Sequence, residues 1–283
     1  MNNSASGRRR RKVFLLVVAA ALVAALVAAL LIIKGPASGA APDESSGLNP
    51  NPVAGTQTNG AATGAASLPV THDLSGTIIC LDPAHASNPD TDTEPAGPGS
   101  SNMKAKDPAG TKGVSTGVDD FTVNLAIAKD LKGRLEAQGA DVVMTRAGDT
   151  FDGGGRDRAR VANEAGADLL LIVDVNAAED KSVQGVSTVH PALVYGWTDD
   201  VYKKSNTAAL MIQSAMVKML GATNQWTSES TDYPEFNWSN SPVVLAKVGY
   251  LTNPDEDQKL ASAGYQKQVA AALLYGIDDY FTK

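Results

Sequence analysis

The stretch ADLLLIVDVNA, residues 167–177, decides the fold. Its run of large apolar residues lacks the polar alternation of a half-solvated strand. It reads as a strand covered on both faces, which belongs to a parallel sheet flanked by helices. The run ends in Asp174. An unpaired carboxylate in a low-dielectric interior costs several kcal/mol. Asp174 therefore either emerges where a loop begins or stands where a charge is needed.

Outward from this strand, apolar and amphipathic segments alternate. GTIICLDPA (76–84), ADVVMTR (140–146), STVHPALVYG (187–196) and PVVLAKVGYLTN (242–253) read as further strands. In DDFTVNLAIAKDLKGRLEAQG (119–139) the residues Val123, Ile127, Leu131 and Leu135 recur every four positions, and Gly139 closes the helix. RDRARVANEAG (156–166), SNTAALMIQSAMVKMLG (205–221) and YQKQVAAALLYGIDDYF (265–281) read as helices too. The alternation predicts an α/β fold of three layers, a mainly parallel sheet with helices on both faces. Sites in such sheets form at the carboxyl ends of strands. That rule selects Asp82, His85, Arg146, Asp174, Asn176 and the segment around Lys247. Residues 86–117 read as a long inserted loop, placed to rim or cover a pocket.

The chain of 283 residues has six basic side chains and no acids in its first 34 positions. The remainder carries 18 basic residues against 31 acidic ones, a net of −13. That balance argues against nucleic acid as a partner. The single cysteine, Cys80, excludes an internal disulfide and a cysteine zinc cage. Residues 13–33 are 21 uncharged, mainly apolar positions, about the length of a membrane-spanning helix. The basic segment 1–12 before them places the N-terminus in the cytoplasm. A cleaved signal peptide is the competing reading, with an apolar core too long for it. Residues 35–74, poor in large apolar side chains, read as a flexible linker, and 75–283 as the working domain outside the cell membrane.

LDPAH at 81–85, the helix start DDFTVNLAIAKDL, VVMTRAGD, RARVANEAGADLLLIVDVNA and PVVLAKVGYLTN occur in one recognisable order. Together they resemble the zinc-dependent N-acetylmuramoyl-L-alanine amidases of bacterial cell walls, over essentially all of 76–281. The resemblance implies hydrolysis of the amide between the glycan's lactyl group and the peptide stem. It further implies a zinc held by His, Glu and His with a second Glu as general base. Carried over position by position, the ligands fall on His85, Asp120 and Asp174, and the base falls on Lys247. Three of the four thus differ in type from the family's set.

An ammonium at position 247 repels a dication and, while protonated, accepts no proton from water. Neighbouring carboxylates raise its pKa rather than lower it. The sequence therefore predicts that Lys247 replaces the metal as counter-ion and that no cofactor is bound. The alternative is a working amidase with an altered zinc site, since one His with two Asp is an acceptable donor set. His190 is then a reserve ligand, although packing accounts for it better. A metal-free hydrolase has no support, for no Ser–His–Asp or Cys–His pattern is present. Arg146, Arg158 and Asn176 are candidate substrate-binding residues, with structural bonding by strand-end arginines and by Asn163 as the competing role. Trp226, Tyr233, Phe236 and Trp238 lie in a stretch, 224–240, that reads as a loop able to stack on sugars or fold back on the domain. The expected partners are peptidoglycan or other cell-envelope components and, through 13–33, the membrane. Either a binding or regulatory role or residual hydrolysis follows.

Overall fold

The computed structural model describes residues 72–282. The proposed anchor 13–33, the basic segment before it and nearly all of the linker lie outside the described residues. Among those described, no helix is long and apolar enough to cross a membrane.

Six strands form the central sheet: β1 (Ile78–Pro83), β4 (Asp141–Met144), β5 (Leu169–Asn176), β6 (Val186–Pro191), β7 (Asn224–Ser230) and β8 (Val243–Tyr250). Their order is β4-β1-β5-β8-β6-β7. The first four run parallel, β6 lies antiparallel to β8, and β7 follows β6 in parallel. The helices are α1 (Asp120–Glu136), α2 (Gly155–Ala165), α3 (Tyr202–Leu220), α4 (Pro234–Asn237), α5 (Pro254–Leu260) and α6 (Ala263–Thr282). A mainly parallel α/β sheet covered on both faces is thus the architecture.

Strand parity divides the core. In β5, Leu169, Leu171, Val173 and Val175 join Ile127, Leu131, Ile212 and Leu273 in the larger core under α1, α3 and α6. The alternate residues Leu170 and Ile172 pack with Cys80, Leu245, Ala162 and Phe236 in the thinner core under α2 and α4. Continuing that alternation puts Asp82, Asp174 and Lys247 on the thinner side, and Asp174 pairs in register with Lys247 across β5 and β8. Asp82, Asp174 and Lys247 therefore share one face, toward the carboxyl ends of three adjacent strands.

Four segments depart from the sequence reading. The inserted loop 86–117 contains an antiparallel hairpin, β2 (Asp90–Pro95) and β3 (Met103–Asp107), paired in a separate two-stranded sheet. The stretch 224–240 opens with edge strand β7 and includes α4, so it is no simple loop. Its polar residues suit an edge that carries little core. Helix α5 is a short addition after the last strand, and the Asn253 side chain accepts the Asp255 and Glu256 amides to cap it. At the linker's end, His72 Nδ1 lies 2.8 Å from Asp278 on α6, and Leu74 is buried. Residues 72–74, read as the end of the linker, thus make contact with the domain.

Candidate functional site

The carboxyl ends of β1, β5 and β8 meet the inserted hairpin around a pocket of about 250 Å³. Its floor includes Asp82, His85, Ile172, Asp174 and Leu245, and Lys104 to Pro108 close one wall. The hairpin is stitched in place. Lys104 Nζ lies 2.6 Å from Asp232, Trp238 Nε1 donates to the Pro95 carbonyl, and Asn237 donates to that of Ala96.

His85 follows β1 at φ 59°, an uncommon backbone state for a residue with a side chain. Its Nδ1 lies 3.1 Å from the Pro108 carbonyl, which can only accept, so this nitrogen carries a proton. Nε2 faces Asp174 Oδ1 at 3.8 Å. Burial favours the neutral ring, but Asp107, Asp174 and Asp120 outweigh it and raise His85 to about 9. The ring is therefore cationic at neutral pH.

Asp174 Oδ2 lies 3.5 Å from Lys247 Nζ, which also donates to Asn176 Oδ1 at 3.1 Å. Burial disfavours the ammonium; the charge of Asp174 and the proximity of Tyr233 outweigh it and hold its pKa above the ordinary value. Asp120, at the start of α1, turns both oxygens onto backbone amides. One accepts from Thr111 and the other from Phe121 at 2.6 Å. Gly110 packs so closely on this carboxylate that a Cβ would collide with it. Burial is the main cause of its raised pKa.

The three ligand positions do not converge. His85 and Asp174 face each other, but Asp120 is taken up by amides and the second Asp174 oxygen by an ammonium. Among the described residues no three His, Cys, Asp or Glu side chains are placed to hold a metal. These donors do not fit a zinc site.

The other candidates separate. Arg158 lines the pocket at 2% exposure, with Nη1 2.6 Å from Asp82 Oδ1 and Nη2 3.3 Å from Asp107 Oδ2. Arg146 is buried behind it and donates to the carbonyls of Pro83, Ala84, Phe121 and Gly148. Asn163 joins the Trp238 carbonyl and the Asn240 amide. His190 is buried, with Nδ1 2.9 Å from the Pro191 carbonyl and its ring against Tyr202. Of the aromatics, Tyr233 reaches the pocket, Phe236 is in the core and Trp226 is exposed.

Sequence reasoning missed Lys104, Lys106, Asp107 and Glu235. The KAKD alternation places the two lysines on one side of β3, the only local signal for them. Burial raises the Glu235 carboxyl to about 7, with the charge of Asp82 adding to the shift and Arg158 opposing it. A carboxyl whose folded pKa is raised loses stability as pH climbs from the ordinary carboxylate range through the folded value. Glu235→Gln removes that loss. Urea unfolding should find the variant about 3 kcal/mol more stable than wild type at pH 8 and no more stable at pH 4. A gap independent of pH would contradict this assignment.

Comparison with known proteins places these features in a family context. A sequence model of the family described as N-acetylmuramoyl-L-alanine amidase matches residues 79–279. The chain is 31% identical over 168 residues to the uncharacterized protein YqiI of Bacillus subtilis (strain 168), covering 59% of this chain and 77% of that protein. It is 30% identical over 170 residues to the N-acetylmuramoyl-L-alanine amidase LytC of the same organism, covering 59% of this chain and 32% of LytC. The match thus spans about a third of LytC. The crystal structure of N-acetylmuramoyl-L-alanine amidase from Clostridium difficile 630 superposes with a TM-score of 0.60 at 27% identity, covering 72% of this chain and 96% of that one.

Proposed function

The chain belongs to the N-acetylmuramoyl-L-alanine amidase family, and from that premise we propose that it acts at peptidoglycan as a binding or regulatory protein that has given up zinc-dependent hydrolysis. The observation that carries this reading is Lys247. Its ammonium neutralises Asp174 from the position of the family's general base. Cationic His85 and Lys247 balance anionic Asp120 and Asp174, so the site is electrically complete without a dication. The pocket keeps groups of both signs, Lys104, Lys106 and Arg158 beside Asp82, Asp107 and Glu235. Such a lining suits the polar junction of glycan and peptide stem. The domain then works outside the membrane, tethered through residues 13–33, a reading supported by their length, their lack of charge and the basic residues before them.

A working amidase with an altered metal site is the second reading, favoured by the facing pair His85 and Asp174. Zinc content and affinity of the purified protein, by elemental analysis and calorimetry at neutral pH, separate the two. The expected result is no stoichiometric zinc and no release of stem peptides from peptidoglycan. One tightly bound zinc per chain, with hydrolysis abolished in Asp174→Ala, would replace the first reading by the second.

A further inference from the structure

The inserted hairpin walls the pocket through Lys104 to Pro108, yet no residue of β2 or β3 joins either apolar core. Polar bonds hold it instead, and three of them come from one short segment. Asp232 pairs with Lys104 at 2.6 Å, Asn237 Nδ2 donates to the Ala96 carbonyl at 2.7 Å, and Trp238 Nε1 donates to that of Pro95 at 3.0 Å. Other ties run from Glu94 to the Arg156 amide, from Asp107 to Arg158, and from the Trp197 indole to the Pro98 carbonyl. An element secured this way, with little apolar burial, opens more readily than the sheet beneath it.

Glu235 sits in the middle of that segment, on α4, and lines the pocket. Its carboxyl rests on the glycines that open α2. A Cβ on Gly154 would meet the Glu94 carboxylate at 2.5 Å, and one on Gly155 would meet the Glu235 carboxyl at 2.5 Å. Adjacent Cα atoms are about 3.8 Å apart, which puts the two carboxyls within roughly 10 Å of each other. They do not share the helix start equally. Glu94 accepts the amides of Gly155 and Arg156, whereas Glu235 is left with the amide of its own residue. Among the described residues Glu235 forms no ion pair, for the nearby cations are committed elsewhere. Arg158 is given to Asp82 and Asp107, Lys104 to Asp232, and Lys106 to Asp90 and Asp92. A charge on Glu235 therefore faces Asp82 on β1 and Glu94 on β2 with no cation of its own. Burial, Asp82 and Glu94 together raise the carboxyl to about 7, and Arg158 on α2 opposes them.

We propose that Glu235 is a proton-operated latch on the inserted hairpin, seated while it carries its proton and released when it gives that proton to solvent. Once charged, the side chain turns from Asp82 and Glu94 toward water, and α4 shifts with it. Asp232, Asn237 and Trp238 are all within three residues of Glu235, so the shift breaks the bonds they make to the hairpin. The wall formed by β3 then lifts from the pocket. The latch regulates the site assigned above to peptidoglycan, and it rests on that reading only for what the open pocket admits.

Hydrogen exchange of the full chain without ligand tests the latch, so the outcome does not depend on what the pocket binds. Protection factors, corrected for the intrinsic exchange rate, are read at pH 5, 6, 7 and 8 for β2 and β3 and for the central strands β1, β5 and β8. A carboxyl protonated when seated and ionised when released favours release by up to about tenfold per pH unit, from the ordinary carboxylate range to its seated pKa and no further. The expected result is hairpin protection well below that of the central strands, falling at least tenfold from pH 5 to pH 7 and level from pH 7 to pH 8. In Glu235→Gln, checked for folding by thermal melt, hairpin protection should be flat across the range. A flat hairpin profile in the wild type overturns the proposal even where global stability follows pH, because Glu235 would then be exposed only by complete unfolding. The same fall in wild type and Glu235→Gln, or a hairpin as protected as the central strands, overturns it too. The wild-type profile decides the matter by itself if the variant fails to fold.

Discussion

Replacing Arg158 by methionine is expected to destabilise the fold by about 3–5 kcal/mol, measured by urea unfolding at neutral pH. The guanidinium is 2% exposed and bonds two buried carboxylates, Asp82 and Asp107, and the Pro83 carbonyl. It also lies 4.3 Å from the centre of the Phe151 ring. Methionine keeps much of the volume but removes every donor. Asp82 Oδ1 would then keep only the Thr145 hydroxyl, and its Oδ2 already lacks a protein partner. Asp82 would thus lose its guanidinium partner, and Asp107 would keep only the His85 ring, whose Nδ1 lies 3.7 Å from its Oδ1. Lysine should fail as well, because a single ammonium cannot fork between both aspartates. Asp107 also ties the inserted hairpin to the sheet through this arginine, so hydrogen exchange should quicken in β2 and β3 before the central strands. A loss below about 1 kcal/mol would mean that desolvation cancels the whole network.

The parts of the fold visible in sequence were those whose physics is local. β1, β5 and β8 are apolar runs because both of their faces are covered, and α1 shows its four-residue repeat because one stripe packs on the sheet. His85, Asp174 and Lys247 were legible because strand ends mark sites and because a motif order aligned them. The hairpin was not, since DTDTEP and MKAKD bury little and draw their stability from Trp238, Asn237 and Asp232, distant in sequence. β7 escaped for the same reason, with NQWTSES lying on an open edge. The most informative discrepancy is Asp120. Its position was legible as a ligand, yet its oxygens are occupied by the Thr111 and Phe121 amides, a fact set by a loop that sequence alone left without structure.

Lys247→Met provides the second large effect, a loss of about 2–4 kcal/mol at pH 7. Its size follows from leaving Asp174, 7% exposed, with its Oδ2 deprived of the ammonium and only the His85 ring, 3.8 Å from Oδ1, as a positive neighbour. A double-mutant cycle isolates the pair: Lys247→Met combined with Asp174→Asn should recover most of the loss, because the carboxylate that lost its ammonium is gone as well. The pH dependence gives an independent check. The folded pKa of Lys247 is raised above the ordinary lysine value. Its contribution is therefore complete below the unfolded pKa and declines as pH climbs through the folded one. The gap between wild type and variant should stay constant from pH 7 to 9 and narrow only in strong alkali. A variant as stable as wild type at pH 7 would remove the counter-ion role. A variant that instead gained a tightly bound zinc would show that this single ammonium is what keeps the metal out.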